Sequence, residues 1–486
     1  MNLLKDPWIP VRDVRGRYRS VSIREALMSA PDIAGIAPAS PLAEVALLRL
    51  LLAVLHRALN GPKNVDEVVQ IYKAGHFPPD PIEAYLQRWE DRFDLFHPRH
   101  PFYQVPDLPT EAPLPWTRLL PELASGHNPT LFDHTMDDDP PPASPAEAVV
   151  ALLIHQSFTP GGLIRRLGVT SGPAGPLAAA AVFLPQGETL FETLLLNFCP
   201  PYRSEGDQPI WERDPYRVTD VEGGKAQAML SGRTRIYTWM SRAVRLLPDD
   251  DGRIRWIAYG PGVRPQPGPD LDPMCAYSKT DGALRPYRLS LERSFWRDFE
   301  ALLPNRSGWS APPVLNHARE FLRATERPSM LFPLVIAGQI TDQAKVLNVR
   351  WETYPLSAHT LDPDVTGRIL DAVACAEEAY EVLNEAAREL ARCLLSPPED
   401  IHRFIRSLPL HSVYWSDLER QFPRFLEMLA RDDPDAALKD WEKGVYRSAR
   451  TAWSVTANAV GTTPRHRAAL ARAKLFLRVK SGGTGT

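Results

Sequence analysis

No two cysteines in this 486-residue chain stand in a C-x-x-C pair. The four present, Cys199, Cys275, Cys375 and Cys393, are scattered along its length. Such spacing excludes a disulfide framework or a zinc knuckle and predicts reduced thiols in or near cores, with no structural metal. Long hydrophobic runs are missing too. No window approaches the roughly 18 uninterrupted apolar residues of a membrane-spanning helix, so no membrane partner is expected. The opening Met1–Asp6 lacks the apolar stretch of a secretory signal, which makes the cytoplasm the expected compartment. Familiar catalytic signatures are also absent. There is no G-x-S-x-G elbow and no H-E-x-x-H pair. The Gly-rich segments Thr159-Pro160-Gly161-Gly162 and Gly168–Gly175 do not end in the Gly-Lys-Ser/Thr of a phosphate loop.

Acidic residues stop at Glu442. The last 44 residues carry Lys443, Arg447, Arg450, Arg465, Arg467, Arg472, Lys474, Arg478 and Lys480. With the whole chain at −3, these nine cations leave −12 on the preceding 442 residues. A basic segment on an acidic body suits a surface that meets a polyanion; the plainer reading is a solvated helix face paired with acidic neighbours.

What the chain has in excess is proline, at 49 residues. Only seven of these fall from Asp362 onward, leaving 42 in the first 361 residues. Proline breaks helix interiors and central strands, so the first three-quarters must be short elements joined by many turns, while the last quarter can hold long helices. The expected architecture is α+β: a large irregular mixed domain over residues 1–360, then an up-and-down four-helix bundle over 361–486. Apolar residues at three- and four-residue steps predict a helix from Pro363 to Leu395, stopped by Pro397-Pro398. A second helical region spans Pro398 to Ala430, interrupted near Pro409 and bent at Pro423. A third runs from Pro434 to Gly461, and the last starts at Pro464. In the first domain, residues 41–60, 146–158 and 189–198 read as helices. Residues 8–14, 253–259 and 345–354 read as strands. The strands do not alternate regularly with helices, so a doubly wound sheet is not expected.

Four places invite a chemical reading. His127, Asp133, His134 and Asp137–Asp139 could ligate a divalent metal, as in a metal-dependent nuclease. They lie in a Pro-rich loop, however, not on elements that would fix ligand geometry. The glycines of 159–162 and 168–175 permit close backbone approach and leave amides for anions, with Arg165 and Arg166 nearby. Tyr277–Gly282 reads as a hairpin tip carrying Lys279. Thr341–Ala344 reads as a polar tip carrying Gln343.

In order along the chain, these pieces resemble a known family. Asn2-Leu3-Leu4-Lys5-Asp6-Pro7-Trp8-Ile9-Pro10-Val11, then Asn128–Thr135, the 159–162 turn and Ala468–Phe476 are similar to the CasA family. CasA is the large subunit of the type I-E CRISPR surveillance complex, Cascade. The resemblance covers essentially the whole chain. It implies a non-catalytic protein without cofactors. Such a subunit reads the protospacer-adjacent motif (PAM) in double-stranded DNA, helps open the duplex for guide-RNA pairing, and supports recruitment of a helicase-nuclease. By position it implies a glycine loop at Thr159, Pro160, Gly161 and Gly162, a lysine finger at Lys279 and a glutamine wedge at Gln343. A loop contacting guide RNA and other Cascade subunits is implied at Leu131, Phe132, Asp133 and His134; in the family it commonly ends in asparagine, where this chain has histidine. Arg165, Arg166, Arg465, Arg467, Arg472 and Lys474 are candidate contacts to the nucleic-acid backbone. A purely structural scaffold, its basic helices packed on acidic partner proteins, is the remaining alternative.

Overall fold

Ser40 starts the central helix of the larger unit. Its hydroxyl accepts from the Leu42 amide, and Pro41 occupies the first turn, where a missing N–H leaves no bond unmade. The helix Pro41–Leu59 ends at Asn60, in left-handed conformation. From Leu42 to His56 every residue but Glu44 is buried, as expected of a helix apolar on all faces. One cation lies within this buried stretch: Arg49, 1 % exposed, is neutralised by Asp272 at 2.6 Å and lies over the Tyr237 ring. Pro145–Phe158 packs alongside and opens with a capping box between Ser144 and Glu147.

In the computed structural model, the described residues are 1–123, 137–203, 205–280, 282–303, 308–342, 344–395, 400–431 and 433–479. They fall into two compact units. The first comprises Met1–Arg293, Pro304–Pro328 and Phe332–Thr353; the second comprises Ser294–Leu303, Ser329–Leu331 and Tyr354–Thr486.

Around the central helix the first unit carries small sheets of two or three strands, antiparallel except for the pair Gln227–Leu230 and Arg264–Pro267. The expected strands are present as Ile9–Asp13, Ile254–Pro261 and Lys345–Leu356, and the expected helices as Pro41–Leu59, Pro145–Phe158 and Leu190–Asn197. One three-stranded sheet matters most here. Phe332–Asp342 lies between Lys345–Leu356 and Val182–Pro185, in register from Leu334 with Pro185 to Ala337 with Val182.

The second unit is helical: Pro363–Leu394, Ile401–Ser407, Leu410–Arg431, Pro434–Val460 and Pro464–Val479. Pro423 sits inside its helix, and Gly461 ends the one before Pro464. Pro363–Leu394 packs on both Pro434–Val460 and Pro464–Val479, and Leu410–Arg431 packs on Pro434–Val460. The core is aromatic. Trp296, from the short helix Phe295–Leu302, stacks on Phe422 at 4.9 Å and meets Trp415 and Trp441. Polar edges are satisfied by helix carbonyls: the Tyr414 hydroxyl donates to Ala376 and Trp441 Nε1 to Ala372. Mixed fold class and helical C-terminal region therefore agree with the sequence reading.

Candidate nucleic-acid interface

The helix Pro145–Phe158 ends where the glycine loop begins. The Thr159 amide still donates to His155, and the Thr159 carbonyl accepts from Gly175 at 2.8 Å, which ties the loop to the segment beyond its own hairpin. That hairpin pairs Gly162–Arg166 with Val169–Gly172, Gly162 opposite Gly172. A side chain at Gly161 would stand 3.2 Å from the Ala174 amide nitrogen. Gly162 has φ +141°, and a Cβ there would lie 3.2 Å from the Cβ of Ala344. Two loops about 180 residues apart in sequence therefore abut at this glycine.

Ala344 belongs to the two-residue connection between Phe332–Asp342 and Lys345–Leu356; Gln343, its other member, lies outside the described residues. A residue that sequence reasoning missed ties this hairpin to the glycine loop. Gln339 is buried and donates through Nε2 to the carbonyls of Phe158, at 2.5 Å, and Ala178, at 2.8 Å. The strand leading to Gln343 is thus bonded to the residue immediately before Thr159. A glutamine inside an apolar strand was the available signal, since a buried amide needs partners.

Lys279 sits on the hairpin Tyr277–Thr280/Ala283–Pro286, paired with Leu284 and one step from the turn. Its amide donates to Gly308, and its side chain is exposed. This hairpin is joined to the same framework as the Gln343 tip. Val182 bridges Cys275, the Phe183 amide donates to Met274 and the Ala181 amide to Tyr287. Val182–Pro185 then pairs with Phe332–Asp342.

Gly172 and Gly175 have a different role from the anion cradle the sequence allowed. At Gly175 a Cβ would lie 2.7 Å from the Ser157 carbonyl oxygen, and at Gly172 it would strike Ile164 and crowd Arg242. Both admit protein rather than ligand. Arg165 is exposed, with φ +52°, whereas Arg166 is tied back to the Ala112 carbonyl at 2.6 Å.

Leu131, Phe132, Asp133 and His134 lie outside the described residues, as does His127. Of that acidic stretch, Asp137–Asp139 are described and exposed, and Asp139 pairs with Arg255 at 3.3 Å. Among the described residues no group of three or more His, Cys, Asp or Glu side chains could hold a metal, and no helix is long and apolar enough to cross a membrane. The four cysteines are unpaired, and burial raises the thiol pKa of Cys199, Cys275 and Cys375. In the helical unit, Arg472 binds Glu389 at 2.6 Å and Arg465 donates to the Leu394 carbonyl, while Arg467 and Lys474 stand exposed. A cleft of about 370 Å³ there is lined by charges that answer one another, Arg420 with Asp417 and Arg424 with Asp440.

Together these features define an α+β protein that presents short loops from stiff strands and carries a basic helical region. The chain belongs to the CRISPR-associated protein Cse1 family, whose model matches residues 2–452. It is 47 % identical over 484 residues to the CRISPR-associated protein CasA/Cse1 of Thermus thermophilus, covering 97 % of this chain and 95 % of that one. A solved structure of Thermus thermophilus CasA (Cse1) superposes with a TM-score of 0.90 at 45 % identity, covering 98 % of each chain. A chain of a CRISPR RNA-guided surveillance complex shares the fold at 23 % identity, with a TM-score of 0.78 over 98 % of this chain and 99 % of that one.

Proposed function

We propose that this chain is the large, non-catalytic subunit of a type I-E Cascade complex and recognises the PAM in double-stranded DNA. The observation that carries the reading is the contact between Gly162 and Ala344. It sets the glycine loop against the tip that bears Gln343, and minor-groove reading and duplex wedging must occur side by side at one base step. Minor-groove edges present mostly acceptors, which suits a lysine donor such as Lys279 and closely approaching glycine backbone. A side chain inserted at the step offsets unstacking, at roughly a few kcal/mol, with new contacts. Guide-RNA pairing then supplies sequence specificity, while the protein reads only PAM and shape. Leu131–His134 would contact the guide and neighbouring subunits, and the DNA-bound complex would recruit the helicase-nuclease. Membership of the Cse1 family and the shared fold of a surveillance-complex chain support this assignment.

The test is DNA binding by the assembled complex. Lys279→Ala and Gln343→Ala should weaken binding to PAM-bearing duplex, and Lys279→Ala should change subunit stability by no more than about 0.5 kcal/mol, as usual for an exposed side chain. Wild-type affinity in both variants would refute the assignment. Metal-dependent cleavage by the purified chain, lost on mutating His127 and His134, would favour a nuclease instead.

A further inference from the structure

Arg242 lies beneath the glycine loop and has no acid beside it. It is 2 % exposed. Its guanidinium donates to the carbonyls of Pro160 at 3.0 Å, Pro173 at 2.7 Å and Ser241 at 2.7 Å, and Nε donates to the Tyr259 hydroxyl at 3.1 Å. Among the described residues no carboxylate reaches it. Arg49, the other fully buried arginine among the described residues, has Asp272 for that purpose. Burying a cation without a counter-charge is expensive, and only a full set of hydrogen bonds makes it tolerable.

The partners are placed informatively. Pro160 is in the glycine loop, and Pro173 directly follows the hairpin that the loop enters. One planar fork therefore spans both stems of the loop. Gly172 is what lets it in, since a Cβ there would stand 3.2 Å from both Cζ and Nη1 of Arg242. The arginine is itself fixed from below. Gln156, fully buried, accepts from the Arg242 amide at 2.9 Å and donates to its carbonyl at 2.8 Å, and its own carbonyl accepts from the Ser241 hydroxyl. On the far side the Tyr259 hydroxyl, having accepted from Arg242, donates to His155 Nε2 at 3.0 Å. Gln156 and His155 lie in the last turn of the helix that delivers Thr159.

We infer that Arg242 is a positioning residue: its guanidinium fixes the two stems of the 159–162 loop in the one pose that meets the PAM, so the PAM preference of the complex depends on a side chain that cannot touch DNA. This rests on the reading of 159–162 as the PAM-facing loop. Lysine is a poor substitute, because a single nitrogen cannot span the stems as a planar fork does.

The experiment compares wild type, Arg242→Gln, Arg242→Lys and Tyr259→Phe in the assembled complex, measuring Kd for PAM-bearing and PAM-less duplexes. Arg242→Gln should lower the ratio of the two affinities about tenfold, as expected for a misplaced recognition group, while PAM-less binding stays within about threefold of wild type. Arg242→Lys should fall between. Tyr259→Phe, which removes a single partner, should lower the ratio by less, and it carries the test if Arg242→Gln fails to assemble. A wild-type ratio in Tyr259→Phe and in whichever Arg242 variants assemble would overturn the inference. So would an equal loss of both affinities, which would mean that the arginine serves only stability or net charge. If wild type shows no PAM preference, it is the PAM-reading function that fails.

Discussion

Three histidines of the larger unit are held neutral. Burial is the main cause in each: it pushes His155 down to about 3, helped by Arg242 and Arg118, and His317 down to about 4. His56 lies well below its ordinary value, again through burial, with Arg233 adding to the effect. Among the described residues His56 Nε2 and His317 Nδ1 have no hydrogen-bond partner, so a second proton would have nothing to bond. Glu44 works the other way, since burial raises it to about 7 although Gln186 donates to it. For the histidines, folded pKa values below the unfolded one give stability that is full above about pH 6.5 and lost as pH falls through about 4 for His317 and about 3 for His155. For Glu44, the raised value gives stability present below about 4.5 and lost as pH rises through 7. Near pH 5 the unfolded chain therefore binds about two more protons at these four sites, a slope of about 2.7 kcal/mol per pH unit. Urea midpoints measured from pH 7.5 to 5 should fall accordingly. His317→Asn keeps a donor for the Leu195 carbonyl and should remove about one proton, or 1.4 kcal/mol per pH unit, from that slope. An unchanged slope would contradict this account. None of this was legible in the sequence, where a histidine is only a candidate ligand. Arg242 was equally opaque: within Ser241–Leu246 it reads as an ordinary polar position, and apart from Ser241 its partners lie 17 to 86 residues away. The loop residues it serves were legible because glycine, proline and turn composition are local signals.

At the scale of elements, the long helices were readable because prolines mark their starts at Pro363, Pro434 and Pro464, and no distant partner is needed to place them. The short helix Phe295–Leu302 was not readable. Its sequence shows a brief aromatic segment, and its meaning lies in partners more than a hundred residues on. Trp296, 1 % exposed, stands among Trp415, Phe422 and Trp441, and its neighbour Arg297 lies over the Trp415 ring while binding Glu377 at 2.7 Å. This segment belongs with the helices although it precedes them by some sixty residues, an assignment that only packing reveals. Removing the indole would leave a cavity bounded by three rigid rings. Trp296→Ala should therefore destabilise the helical unit by about 3–5 kcal/mol, and Trp296→Phe by less. Denaturant unfolding followed by far-UV circular dichroism checks both. A cost below about 1 kcal/mol for the alanine would show that the helices close without this contact.

At the scale of the whole molecule, the charge split separates two accounts of the basic C-terminal helices. In one they face nucleic-acid phosphates; in the other they pack on acidic protein. Arg472 fits the second, since it meets Glu389 within its own unit. Arg467 and Lys474 are exposed and meet no carboxylate among the described residues, so they are the cations on which the two accounts can be tested. Phosphate contacts release counterions, and each adds about 0.9 to the slope of log affinity against log salt. Converting Arg467 and Lys474 to glutamine should then reduce that slope by up to about 1.8 in the assembled complex. It should also weaken PAM-bearing and PAM-less duplexes alike, because phosphates carry no sequence information. Lys279→Ala should do the reverse, lowering PAM preference and moving the salt slope by about one unit at most. The two substitution sets thus resolve affinity and specificity onto different parts of the chain. If the double glutamine variant no longer enters the complex, the basic helices face protein; if it enters and keeps the wild-type slope, Arg467 and Lys474 meet no phosphate.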